Sequence, residues 1–119
     1  MSLPELRGSA AMPNVTIFIP SEKMPEDGIL ADLTDQCSQL CTDMLKAAPE
    51  NVHIIYVAVR HGRGHEAFAE IKYRAQPFRT KAVMAAFMER LDDVIRRGAG
   101  VTARIRCFGH QASAIHARN

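Results

Sequence analysis

Residues 12–19 read Met-Pro-Asn-Val-Thr-Ile-Phe-Ile. From Asn14 onward the stretch alternates and is rich in β-branched residues, with Val15, Ile17 and Ile19 on one side. That is the signature of a half-buried β-strand, and Pro20 ends it. Downstream, Pro25 precedes Glu26 and Asp27, carboxylates suited to the positive end of a helix dipole. Ile29, Leu30, Leu33, Cys37, Leu40, Cys41, Met44 and Leu45 then recur at helical spacing. The spacing predicts an amphipathic helix from about 26 to 47, stopped by Ala47-Ala48-Pro49.

The same alternation of element types follows. Val52 to Val59, VHIIYVAV, reads as a strongly apolar strand, and Ala67 to Arg74, AFAEIKYR, as another. His61-Gly62-Arg63-Gly64-His65 lies between them as a glycine-punctuated turn, so the two strands are expected to form a hairpin. Thr80 is placed to cap a second helix buried through Val83, Met84, Phe87, Met88, Leu91, Val94 and Ile95, and Gly98-Ala99-Gly100 ends it. Val101 to Phe108 alternates apolar residues with Thr102, Arg104 and Arg106, a half-buried last strand. The stretch from Gly109 to Asn119 carries no clear signal.

The order is β-α-β-β-α-β, an α+β fold of two β-α-β halves with right-handed crossovers. Both helices then pack on one face of a four-stranded sheet. The opposite sheet face needs a cover, most simply another subunit. Residues 1–11, MSLPELRGSAA, lack periodicity and read as a disordered leader or a cloning remnant, leaving one domain over 12–119.

With 119 residues, 47% hydrophobic and 24% charged, the chain has the balance of an ordinary globular domain and is too short for a two-domain dinucleotide enzyme. It carries neither an apolar run of membrane-span length nor a signal-peptide pattern, so the expected compartment is the cytoplasm. Three cysteines cannot all pair in one chain, and Cys37, Cys41 and Cys107 are expected as small buried hydrophobes. The net charge of +2 hides a division. Residues 1–59 hold three basic side chains against eight acidic, whereas residues 60–106 hold eleven against five. Such a basic half suits an anion, a nucleic acid or merely solvent.

Spacing alone yields no catalytic motif: no phosphate loop, no Gly-x-Ser-x-Gly, no His-Glu-x-x-His and no metal-ligand pattern among the five histidines. Phe68 and Tyr73 do not recreate a base-stacking motif, which argues against nucleic acid as partner. The informative feature is Met12-Pro13. If translation starts at Met12 and that methionine is removed, proline keeps a free secondary amine, which titrates near pH 7.7–8 when open to water. Burial and nearby cations lower that value, so the amine could move a proton to or from carbon at neutral pH. With Met12 attached, the same nitrogen is an amide without a basic lone pair. Pro13 also fits as a plain strand start, where a missing N–H costs nothing.

Met-Pro-Asn-Val-Thr-Ile-Phe-Ile, the long helix, and Pro49-Glu50-Asn51-Val52-His53-Ile54-Ile55 together resemble the tautomerase superfamily. The second β-α-β half and the stretch from Phe68 through Arg79-Thr80 look most like 5-carboxymethyl-2-hydroxymuconate isomerase. The resemblance covers about residues 12–108 through short, diffuse motifs. It implies a homotrimer whose inner sheet faces form a barrel, and cofactor-free, metal-free keto–enol tautomerisation of a small unsaturated dicarboxylate. Pro13 falls on the family's general base. Arg79 matches an arginine used toward substrate carboxylates, and its planar fork suits that task. Lys23 stands near where the smaller 4-oxalocrotonate tautomerases carry an arginine, and His53 occupies another such position. Lysine keeps the charge but loses the fork, and histidine is charged only when protonated. The alternative is a non-enzymatic, ferredoxin-like oligomeric module that binds an anion or nucleic acid through residues 60–106.

Overall fold

A computed structural model describes residues 12–119; the expected leader, 1–11, lies outside the described residues. The elements are β1 (Asn14–Pro20), α1 (Asp27–Met44), β2 (His53–Val59), β3 (Ala67–Arg74), α2 (Lys81–Ala99) and β4 (Ala103–His110). Short 3-10 turns occupy Ser21–Lys23, Pro49–Asn51 and Ala112–Ala114. The last strand starts and ends two residues later than the alternation suggests. The first helix stops earlier than its apolar pattern does, because the chain turns at Lys46 while Leu45 stays buried.

The sheet runs β2-β1-β3-β4. β1 pairs parallel with β2 and antiparallel with β3, and β3 pairs parallel with β4. Each helix therefore returns the chain beside the strand it left. In a ferredoxin-like arrangement the two strands of a β-α-β unit are split by another strand; here they are neighbours, which excludes that architecture. The order also corrects the expected hairpin, since β2 and β3 lie on opposite sides of β1 and do not pair. The connection of residues 60–66 passes the end of β1, crossing two strand spacings of about 4.8 Å each. Local turn chemistry suggested a hairpin, but β1 offers both flanking strands a deeper apolar partner.

Strand alternation sends Val15, Ile17 and Ile19 of β1 and Ala67, Ala69 and Ile71 of β3 into the core. They meet Leu33, Cys37, Leu40 and Cys41 of α1 and Met84, Phe87, Leu91, Val94 and Ile95 of α2. These are helical i, i+3, i+4 and i+7 positions, so each helix buries one stripe. No polar or charged residue is buried among the described residues. At the edge, the Tyr56 hydroxyl meets Thr34 Oγ1 at 2.8 Å, tying β2 to α1. The other sheet face is open. It carries Phe18 stacked on Phe68 with ring centroids 5.8 Å apart, and it exposes Ile55 and Phe108 by 46% and 44%.

Helix α2 is capped at both ends. Thr80 Oγ1 accepts from Val83 N at 3.2 Å, and Gly100 closes the helix at φ 69° with its N–H on Arg96 O. Two glycines of this segment should respond oppositely to alanine. At Gly98 a new Cβ would lie 3.6 Å from Leu33 Cδ1, an ordinary contact. Gly98→Ala is expected to stabilise by about 0.5–1 kcal/mol through helix propensity. Gly100→Ala is expected to destabilise by about 1–2 kcal/mol because its backbone is left-handed. Urea unfolding of the two variants checks both signs.

Candidate active site

The amino-terminal end of β1 begins at Pro13, whose side chain is fully buried. Its ring nitrogen has no hydrogen to give the sheet, but its carbonyl accepts the His53 N–H at 3.1 Å. The parallel β1–β2 ladder thus extends one residue beyond β1 and sets His53 beside Pro13. The His53 side chain is exposed. It shares the open sheet face with its register partner Asn14. On the other side of β1, Asn14 is in register with Lys72, so the end of β3 and the connection into α2 arrive at the same end of the sheet.

That connection carries Arg79. Its Nε donates to the Leu45 carbonyl at 2.9 Å and its Nη1 to the Arg74 carbonyl at 2.7 Å. The guanidinium also lies 5.3 Å from the centre of the Phe78 ring. One side chain therefore joins the last turn of α1 to the end of β3. Burial lowers the Arg79 pKa from its usual value, and the like charge of Arg74 adds to this, against opposing contributions from Cys41 and Tyr73. Arginine remains cationic under such perturbation. Three of its five N–H groups lie outside these two bonds.

Met12, Lys46, Ala47, Ala48, Asn51, Arg74, Gln76, Phe78 and Arg79 line a cleft of about 230 Å³ at this end. Lys46 reaches it from the turn after α1, where its φ is 58° and the following Ala47 N–H returns to the Cys41 carbonyl. Pro13, His53 and Arg79 are thus gathered at one end of the sheet. Lys23 is not among them. It follows β1 at the opposite end, ~20 Å away at strand rise, and forms an ion pair with Glu66. The hydrogen bond and charge of Glu66 raise the Lys23 pKa, and Lys23 lowers that of Glu66.

The sequence reading did not single out Lys46, Arg74 or Phe78. Their cue was weak: they sit in connections, where no periodicity marks which way a side chain points. Cys37 and Cys41 are buried as expected, whereas Cys107 is half-buried. Cys37 donates to Cys41 within the buried stripe of α1, an interaction that raises the Cys37 pKa along with burial and lowers that of Cys41. Burial pushes the Cys107 thiol up to about 12. Among the described residues, no three His, Cys, Asp or Glu side chains gather as a metal site requires. No described helix is long and apolar enough to cross a membrane.

Two other concavities lie elsewhere. Arg63, His65, Phe68, Arg104, Arg106 and Phe108 line a space of about 550 Å³ on the open sheet face. A groove of about 350 Å³ between the helices mixes Asp35 and Asp43 with Arg90 and Arg97.

No protein-family model and no curated protein sequence matches the chain. Solved structures do. A macrophage migration inhibitory factor-like protein from Entamoeba histolytica superposes with a TM-score of 0.72 at 12% identity, covering 89% of this chain and 95% of that one. A fused 4-OT wild-type symmetric trimer gives 0.76 at 15% identity, with 90% and 93% covered. N1, a member of the cis-3-chloroacrylic acid dehalogenase family, gives 0.75 at 11% identity, with 88% and 80% covered. The fold is tautomerase-like, the one these three structures share. At such identities the likeness is one of architecture, and the shared fold here spans β1 through β4 without interruption.

Arg79 is expected to have a structural role. Arg79→Ala leaves the Leu45 and Arg74 carbonyls without their donor, and charge-assisted bonds of this kind contribute about 1.5–3 kcal/mol each. Because Arg79 is only half-buried, the loss expected in urea unfolding is below their sum, about 2–4 kcal/mol, with Arg79→Lys intermediate because an ammonium cannot reproduce the fork.

Proposed function

We propose that the chain is a keto–enol tautomerase or isomerase that acts on a small unsaturated dicarboxylate, with Pro13 as its amino-terminal acid–base catalyst. The observation that carries this reading is the fully buried Pro13 at the start of β1, beside a cleft that Arg79 and Lys46 line. In a chain beginning at Pro13 the nitrogen is a secondary amine. Burial and the nearby Arg79 cation both disfavour its ammonium form and bring its titration toward neutrality or below. The neutral amine takes the enol proton. The resulting ammonium returns it to carbon, while the Arg79 side holds the substrate carboxylate and opposes the enolate-like charge. His53 is proposed as a further contact for the substrate. Lys23 can join this cleft only from another subunit, because it lies at the far end of its own β1. The sequence features from Val52-His53 to Arg79-Thr80 favour chemistry of the 5-carboxymethyl-2-hydroxymuconate isomerase kind. No metal or organic cofactor takes part in the proposed reaction.

The assembly proposed is a homotrimer with the open sheet faces turned inward. The apolar part of that face, Phe18, Phe68, Ile55 and Phe108, is too continuous to be left to solvent without consequence. A second reading, anion or nucleic-acid binding through the basic half, rests on Arg63, Arg104 and Arg106 around the larger open-face cleft. The two readings compete for one surface, since a closed trimer covers it.

The test is turnover of 2-hydroxymuconate or phenylenolpyruvate by protein beginning at Pro13. Ketonisation above the buffer rate is expected, and Pro13→Ala should lower it by about 10²–10⁴-fold, the usual worth of a positioned acid–base group. The chain retaining Met12 should be inactive. Sedimentation should give three times the protomer mass for wild type and for Pro13→Ala, which for the full 119-residue chain is three times 13.2 kDa. Salt-sensitive RNA binding by a monomer, with no enol turnover, would transfer support to the second reading.

A further inference from the structure

Glu70 is the only carboxylate carried by the four strands. Strand alternation puts it on the open sheet face with Phe68 and Lys72 of β3 and with Arg104, Arg106 and Phe108 of β4. It stands in register with Arg106, yet its carboxylate lies 4.0 Å from the Lys72 ammonium. Arg63 and Arg104 make no ion pair among the described residues, and Arg106 Nη1 donates to the adjacent Ile105 carbonyl at 2.8 Å. These three arginines and His65 line the open-face space of about 550 Å³, with Phe68 and Phe108 beside them and no carboxylate in its lining. Glu66, next in the chain, is already paired with Lys23. Because β4 is an edge strand, closing the face against further copies brings its arginines to a seam. The other edge, β2, offers His53, Ile55 and Val57 on that face and no acid to meet them.

We infer that Arg63, Arg104 and Arg106 form a second anion site that takes a compact oligophosphate, and that assembly of the chain is linked to filling it. The inference rests on the proposed homotrimer, and the site shares no lining residue with the Pro13 cleft. Threefold symmetry repeats every charge of an inward face three times. Like charges drawn together and away from water oppose closure of the faces. An anion held among them reverses the sign of that contribution. A ligand that prefers the assembled state also shifts the chain toward that state by mass action. Guanidinium forks match phosphate oxygens, and several forks around one space call for several charges in a small volume. A single carboxylate supplies too little charge, and a long RNA is shut out once the faces close.

The test joins calorimetric titration of the full chain with tripolyphosphate to sedimentation across a urea series, tripolyphosphate being exchanged for chloride at equal ionic strength. Wild type should bind tripolyphosphate, and the urea midpoint for loss of the trimer should rise with it. The double variant Arg104→Gln/Arg106→Gln should bind about tenfold more weakly or worse, and its trimer in chloride should resist urea at least as well as wild type. Arg63→Gln, which alters no strand, should weaken binding and keep the trimer. No binding by wild type overturns the inference, as does equal binding by the double variant. So do equal urea midpoints in the two salts, or a double variant whose chloride trimer is weaker than wild type, which would mark the arginines as plain interface contacts. Failure of the underlying readings looks different. A chain monomeric in both salts removes the trimer and this inference with it. A trimer that responds to tripolyphosphate but turns over no enol when it begins at Pro13 removes the catalytic reading alone.

Discussion

β1 is bonded on both edges, and the rest of the structure depends on that. Its parallel partner β2 and antiparallel partner β3 fix the sheet order, and the order fixes where each helix must lie. The helices bury one stripe each against Val15, Ile17, Ile19 and their neighbours on β3. The same double pairing brings three connections to the amino-terminal end of β1: the strand start at Pro13, the turn after α1, and the segment from β3 into α2. A cleft forms there because connections, unlike strands, do not pack to uniform density. The Arg79 fork holds two of the three together.

The element sequence was legible because both periodicities are strong: period two in Val15-Ile17-Ile19, and a helical stripe from Leu33 to Leu45. Pairing was less so. His61 to His65 has the composition of a hairpin turn, yet nothing within those residues records that β1 lies between the strands they join. Strand neighbours are decided by long-range burial, and a local turn motif cannot report it. Of the candidate site residues, Pro13, His53 and Arg79 were named by resemblance, and the fold sets them at one end of the sheet. Lys46 carries only a backbone signal, a positive φ, and a sequence does not print it. Lys23 was named by resemblance too, but it lies at the other end of β1, and its partner Glu66 is 43 residues away in sequence.

The cysteines show how composition can point away from chemistry. Three thiols in a small chain invite a redox or metal reading. Cys37 and Cys41 instead fill helical core positions, and Cys107 joins the apolar face of β4. Burial keeps the Cys107 thiol protonated at neutral pH, and a protonated thiol is a poor nucleophile.

The antiparallel β1–β3 pair also gives the chain an approximate internal twofold axis. β1-α1-β2 maps onto β3-α2-β4, and each strand-to-helix connection has the same length, residues 21–26 and 75–80. Under that operation the Arg79 segment exchanges with the Lys23 segment, and Pro13 exchanges with Glu66. The fold therefore contains two copies of one architectural corner, differently furnished. One corner closes on itself, its lysine matched by a glutamate from the same chain. The other has a proline where the glutamate would stand, and its arginine is turned to main-chain carbonyls. The two corners are thus differently furnished, one closed by its own ion pair and the other headed by a proline.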